Sequence, residues 1–163
     1  MKAIFAGSFD PPTFGHLDII KRGSGMFEEL RIVLATNIRK ESIFSLDERT
    51  NMMSALVSEL GIINAVVDSW GGLLCDYARN HECKVLLRSI RFLTEVPYEQ
   101  GMATMNQRLD SGLETIIMFS KPELQDISSS AVRELLAWRR LPDGVVPDLV
   151  RKELEKRFGP LSQ

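Results

Sequence analysis

Short apolar runs alternate with longer amphipathic stretches along the whole chain. Lys2–Ala6, Leu30–Ala35, Ile62–Val67, Val85–Leu87 and Thr115–Phe119 have strand length and are rich in Ile, Val, Leu and Phe, which predicts five strands. Between them the spacing turns helical. Phe14–Met26 carries Leu17 and Ile20 on one face, with Phe27 following on. Ser45-Leu46-Asp47-Glu48 is a capping-box pattern that opens a helix to about Leu60. Leu73–Arg79, Thr94–Leu109, Ser128–Trp138 and Pro147–Phe158 complete the predicted helices. Strands separated by helices predict an α/β fold, a parallel sheet with helices on both faces, in a single domain over residues 1–163.

In such sheets ligands bind beyond the carboxyl ends of the strands, near the point where strand order reverses. The candidates are therefore the residues after each strand. They are Gly7-Ser8-Phe9, Thr36-Asn37 leading to Lys40, Ser69 through Gly72, Arg88 through Arg91, and Ser120 followed by Ile127-Ser128-Ser129-Ser130. Three of these five ends carry cations or a hydroxyl cluster, so a pocket built there suits phosphates.

Composition narrows the partners. The chain has 20 basic and 22 acidic residues, a net charge of -2, with 44% hydrophobic and 26% charged residues. That is ordinary for a globular protein and argues against a general nucleic-acid binder, which carries a basic excess. A small anionic ligand needs only a local cationic pocket. No apolar run has membrane-span length, and "AIFAG" is too short for the apolar core of a signal peptide. Cys75 and Cys83 form no metal-spaced cluster and read as reduced, buried small residues. The expectation is a cytoplasmic protein.

The stretch "GSFDPPTFGH" (7–16) follows the first strand. Gly7 permits close backbone approach and unusual dihedrals. Ser8 adds a hydroxyl, and Pro11 and Pro12 stiffen the loop. Gly15-His16 falls in the first turn of the helix, where free N–H groups and the helix dipole favour an anion. His16 is thus placed to donate to a phosphoryl oxygen, with Phe14 and Leu17 facing the core. Ser128-Ser129-Ser130 opens a helix after the fifth strand; one serine suffices as an N-cap, and three suit a cradle for β- and γ-phosphates. Trp70 and Trp138 read as packing residues and His81 as an exposed turn histidine.

These residues resemble a family. Thr13-Phe14-Gly15-His16 is similar to the (T/H)xGH signature of the nucleotidyltransferases, and "ISSSAVRE" (127–134) to their second signature, ISSS-x-x-R. "SLDERTNMM", "GLLCDYARN" and "LLRSIRFLTEVPYEQGMATMN" resemble bacterial phosphopantetheine adenylyltransferases throughout, so the resemblance spans nearly the whole chain. It implies a Rossmann-like fold, a homohexamer, and transfer of the adenylyl group of ATP to 4′-phosphopantetheine. The products would be dephospho-coenzyme A and pyrophosphate, with Mg²⁺ on the ATP phosphates and coenzyme A as a feedback inhibitor. Carried over residue by residue, His16, Lys40, Arg88 and Arg91 are catalytic. Ser8, Phe9, His16, Ser89, Ile90, Arg91, Glu99, Leu124, Ser128, Ser129 and Ser130 contact ATP. Ser8, Lys40, Leu74, Arg88, Tyr98, Met102, Asn106 and Glu134 contact phosphopantetheine. No protein metal ligand is implied.

Two positions depart from the family pattern. Ser89 stands where Arg-Gly-Leu-Arg is common, and a serine forced to a positive φ there would be strained. Leu124 stands where an aromatic residue often precedes the serines. Two other readings stay open at this point. One is a different transferase on the same fold, acting on nicotinate mononucleotide or as a cytidylyltransferase. The other is a nucleotide-binding regulatory domain without catalysis.

Overall fold

A computed structural model describes residues 1–35 and 42–163. Five parallel strands, β1 (Lys2–Gly7), β2 (Glu29–Ala35), β3 (Ala65–Trp70), β4 (Val85–Ile90) and β5 (Glu114–Phe119), form one sheet in the order β3-β2-β1-β4-β5. The α-helices are α1 (Phe14–Ser24), α2 (Leu46–Glu59), α3 (Leu74–Asn80), α4 (Val96–Leu109), α5 (Ser129–Ala137) and α6 (Asp148–Phe158). The predicted parallel α/β sheet is present, and its physical basis is plain. Ala3, Ile4, Phe5 and Ala6 of β1, and Leu30, Ile32, Val33 and Leu34 of β2, are all buried, as central parallel strands covered on both faces require. Two apolar clusters flank the sheet. The larger joins Leu17, Ile20, Met53, Leu56, Val132, Val150 and Leu154 of α1, α2, α5 and α6; the smaller places Cys75, Tyr77 and Ala78 of α3 against Ile4, Val33 and Leu86.

Three details differ from the sequence expectation. The third strand starts three residues later, at Ala65. Gly61, at φ 65°, turns the chain out of α2, and Ile63 points to solvent at 99% exposure. The apolar pair Ile62-Ile63 therefore closes a turn instead of opening a strand. As an edge strand, β3 needs only one buried face, so it tolerates Asp68 and Ser69. The fourth strand runs on to Ile90, because β5 pairs Arg88 with Ile117 and Ser89 with Met118; Arg88 lies within the strand and not at its end. Phe14 is partly exposed, and Trp138 is 82% exposed, so neither is a core residue. Trp70 does pack, with its ring 5.5 Å from Tyr77, and the His81 ring also lies against Tyr77, at 4.2 Å. Cys75 and Cys83 are free and buried.

The register opens the site. Strands β1 and β2 pair through Gly7 and Leu34, and β4 and β5 pair through Ile90 and Phe119. Between β1 and β4 the pairing stops at Phe5 and Leu87. The two central strands diverge there, at the place where strand order reverses, and leave a crevice between Ala6-Gly7 on one side and Arg88-Ser89 on the other.

Candidate active site

A cavity of ≈ 380 Å³ fills this crevice, lined by Gly7, Ser8 and Phe9, by Thr13, Gly15 and His16, by Arg88, Ser89 and Arg91, and by Ser128, Ser129 and Ser130. Two helix N-termini, those of α1 and α5, face it. Their free N–H groups are anion donors.

The loop after β1 is built around Phe9. Its ring is buried and lies edge-on to both Phe5 and His16, at 5.5 and 5.0 Å. A Cβ on Gly7 would sit 3.1 Å from this ring, so Gly7 makes room for a side chain. The unusual dihedral belongs to Phe9, at φ 46°, and not to the glycine. Gly15 serves close approach between the signatures, since a Cβ there would press on the Ile127 carbonyl at 3.3 Å. Ser129 Oγ donates to the Pro11 carbonyl at 2.8 Å, and Arg133 Nη1 to Asp10 Oδ2 at 2.7 Å. The two signature segments are thus one bonded unit.

Asp10 is its hub, a residue that sequence reasoning missed. The carboxylate is buried and also accepts the backbone N–H groups of Ile43 and Phe44, at 2.8 and 3.0 Å. Buried Arg49 secures the same segment from α2, donating to the carbonyls of Phe44 and Ser8 at 3.1 and 2.6 Å. Lys40, with Thr36, Asn37 and Arg39, lies outside the described residues.

His16 is the third residue of α1, and its ring completes a capping box. The Thr13 N–H donates to His16 Nδ1 at 3.1 Å. An Nδ1 that accepts this bond carries no proton, so the neutral ring bears its proton on Nε2. Burial, reinforced by the positive charge of Arg91, pulls the His16 pKa down to about 4. The folded protein therefore prefers the neutral ring. Its folded pKa lies below the unfolded value of 6.5, so the unfolded state takes up the proton first and acidification through this window destabilises the fold. In a ¹H–¹⁵N titration, the His16 ring signals should stay constant from pH 8 to about 5 and move near 4; a midpoint near 6.5 would contradict this environment.

Both cavity arginines are held by carboxylates. Arg88 donates from Nε and Nη2 to the two oxygens of Glu99, at 2.8 and 2.9 Å. These bonds outweigh the opposing effect of burial and hold the guanidinium firmly charged. Arg91 donates its backbone N–H and Nη2 to Glu95, at 2.6 and 2.7 Å. Partial burial alone would raise the Glu95 carboxyl, but the bonds from Arg91 hold it below its ordinary value. Glu95 was not legible as a site residue, because i,i+4 acid–base pairs are common on helical surfaces.

Ser89 lines the cavity from within regular strand β4. The non-glycine residues with positive φ among those described are Phe9, Glu82 and Arg139, so serine fits here without strain. Ser89→Gly should lower stability by about 0.5–1 kcal/mol; a higher melting temperature for the variant would show hidden strain.

A second cavity, of ≈ 270 Å³, opens on the other side of Arg88, bounded by Leu74, Leu86, Tyr98, Glu99, Met102 and Asn106. Four of the residues carried over for phosphopantetheine, Leu74, Tyr98, Met102 and Asn106, meet here with Arg88. Glu134 lies on the exposed part of α5 and lines neither cavity, and Glu99 lines the second cavity only. Ile90 is buried in the core, and Leu124 sits in a short 3₁₀ turn outside the first cavity's lining.

Among the described residues no cluster of three or more His, Cys, Asp or Glu is placed to hold a metal ion. The carboxylate in the first cavity's lining, Glu95, is engaged by Arg91. Among the described residues no helix is long and apolar enough to cross a membrane.

A 3-2-1-4-5 sheet whose central split is lined by (T/H)xGH-type and serine-rich helix starts defines a nucleotidyltransferase, and the family model described as Cytidylyltransferase-like matches residues 4–135. Within that class the chain belongs to the phosphopantetheine adenylyltransferases. It is 39% identical over 158 residues to the phosphopantetheine adenylyltransferase of Symbiobacterium thermophilum, covering 97% of this chain and 96% of the relative. It is 38% identical to that of Geobacter metallireducens, covering 96% and 94%. Among solved structures, the nicotinic acid mononucleotide adenylyltransferase of Plasmodium falciparum shares the fold with a TM-score of 0.62 at 15% identity, covering 83% of each chain.

Proposed function

We propose that this chain transfers the adenylyl group of ATP to 4′-phosphopantetheine, releasing dephospho-coenzyme A and pyrophosphate. The observation that carries the reading is the placement of Arg88 between two cavities, one lined by helix starts and hydroxyls and the other by the apolar and amide groups of Leu74, Met102 and Asn106. The first suits a triphosphate and the second an extended amide-bearing arm. Family membership supports the same substrates.

The chemistry asks little of the protein beyond placement. An oxygen of the acceptor's phosphate attacks the α-phosphorus of ATP, a new P–O bond forms, and the α–β bridging bond breaks to free pyrophosphate. The attacking group is already anionic, so no general base is needed. Catalysis comes from in-line positioning and from fixed dipoles aimed at the charge that develops. His16 Nε2–H would donate to the α-phosphoryl oxygens. Ser128, Ser129, Ser130 and the α5 N-terminus would cradle the β- and γ-phosphates, with Arg91 beside them, and Ser8 and the Phe9 backbone would border the reacting group. Mg²⁺ bound to the phosphates would offset their charge.

Lys40 belongs to the same reading as a cation at the reacting phosphates. Lys40→Ala should depress turnover, while Arg39→Ala should leave it nearly intact; the reverse sensitivity would shift the functional loop by one residue. The reading also includes a homohexamer, a cytoplasmic location and feedback inhibition by coenzyme A. An assembly is supported by the exposed apolar row Tyr98, Met102, Met105 and Leu109 on α4, and sedimentation at micromolar concentration tests it.

The function is tested by offering ATP with phosphopantetheine, nicotinate mononucleotide or glycerol 3-phosphate as acceptor and following pyrophosphate release. Release should require phosphopantetheine. Preference for another acceptor would place the chain elsewhere in the class, and nucleotide binding without release would make it a sensor.

A further inference from the structure

Helix α4 is amphipathic in an unusual sense. Its exposed row is apolar, and the one buried residue among its fourteen is an acid, Glu99, at 6% exposure. A buried carboxylate is costly unless paired and hydrogen-bonded. Glu99 spends both oxygens on Arg88 in a side-on bidentate pair, at 2.8 and 2.9 Å. The remaining nitrogen of Arg88, Nη1, donates to the Ala6 carbonyl at 3.3 Å, across the split between β1 and β4. The guanidinium plane is therefore fixed from two sides. Arg88 lines both cavities, and Glu99 lines the second.

We propose that Glu99 is the positioning residue of the acceptor half of the site. It holds Arg88 across the β1/β4 split, so that the guanidinium's remaining N–H groups meet the phosphate of phosphopantetheine. Resemblance alone groups Glu99 with the ATP contacts. The geometry separates it from that cavity and couples it to the phosphate that attacks. A second consequence is directional. A carboxylate on the far edge of Arg88 repels phosphate from the second cavity, so the acceptor lies with its uncharged arm there and its phosphate toward ATP. This inference rests on the proposed reading of Arg88 as the ligand of the acceptor's phosphate.

Calorimetry of 4′-phosphopantetheine, of pantetheine (which lacks the phosphate) and of ATP tests it on the wild type and on Glu99→Gln. The wild type should prefer phosphopantetheine to pantetheine. Glu99→Gln should lose about 10- to 100-fold in affinity for phosphopantetheine, the scale of a charge-assisted pair, while pantetheine and ATP stay within about threefold. Glu99→Asp, which keeps the charge but shortens the reach, should recover part of the loss, and it provides the same comparison if the glutamine variant does not fold. Equal loss for pantetheine and phosphopantetheine would show a merely structural role, and a loss confined to ATP would return Glu99 to the nucleotide; either result overturns the inference while leaving the function standing. A wild type indifferent to the acceptor's phosphate would overturn the reading of Arg88, and the inference with it.

Discussion

His16→Ala should lower kcat by about 10²–10³ while ATP affinity stays within a few-fold, the scale for removing one preorganised donor that acts mainly in the transition state. His16 lines the cavity from the first turn of α1, beside the N-terminal N–H groups. Its Nδ1 is occupied by the Thr13 N–H, which leaves Nε2–H as the donor on the open side. A ring pulled down to a pKa of about 4 is neutral at working pH, and with Nδ1 accepting from Thr13 its single proton is on Nε2. The same change removes the acceptor for the Thr13 N–H, and that capping loss should cost about 0.5–2 kcal/mol of stability. Thermal unfolding separates the two effects. A variant with near-normal kcat would remove His16 from the chemistry, whatever its melting temperature.

Asp10→Ala should destabilise the fold by about 3 kcal/mol. The N–H groups of Ile43 and Phe44 lose their acceptor at once, and the guanidinium of Arg133 loses its bond to the Asp10 carboxylate. An unsatisfied buried donor costs about 1–3 kcal/mol, and breaking a buried ion pair costs about 3–5 kcal/mol. Here the Arg133 side chain is 35% exposed, so water recovers part of that cost and the low end applies. For a chain of this size the melting temperature should fall by about 6–12 °C. Asp10→Asn, which keeps one acceptor oxygen, should lose less than the alanine variant. A drop under about 2 °C for Asp10→Ala would show that the two signature segments are held together by other contacts.

Asp10 also shows what the sequence concealed. It stands in the middle of "GSFDPPTFGH", yet nothing local says that its carboxylate reaches residues 43, 44 and 133. That is a tertiary fact, made by β1, α2 and α5 converging. The same limit governs Glu99, whose partner Arg88 lies eleven positions away on another element, and Glu134, which lines neither cavity. The strands were legible where burial on both faces made continuous apolar runs, as in "AIFA" and "LRIVLA". They were misjudged where one face is wet. Ile62-Ile63 looked like a strand but closes a turn, and Arg88-Ser89 looked like a strand's end but is paired throughout. Gly7 was legible as essential, but for another reason: the constraint is the Phe9 ring and not the glycine's own dihedral. The cavity-lining residues His16, Arg91 and Ser128–Ser130 were the easiest to read, since placement after parallel strands and at helix starts is a local property of the chain.

The proposed reaction places the attack of the acceptor's phosphate on the α-phosphorus of ATP in the split between β1 and β4. The most direct measurement is product analysis by mass spectrometry and phosphate counting after incubation with ATP, Mg²⁺ and 4′-phosphopantetheine. The account predicts dephospho-coenzyme A and pyrophosphate in equal amounts, with neither product formed when the acceptor is omitted. Formation of ADP or orthophosphate in place of pyrophosphate would put the cleavage at the β–γ bond and contradict it.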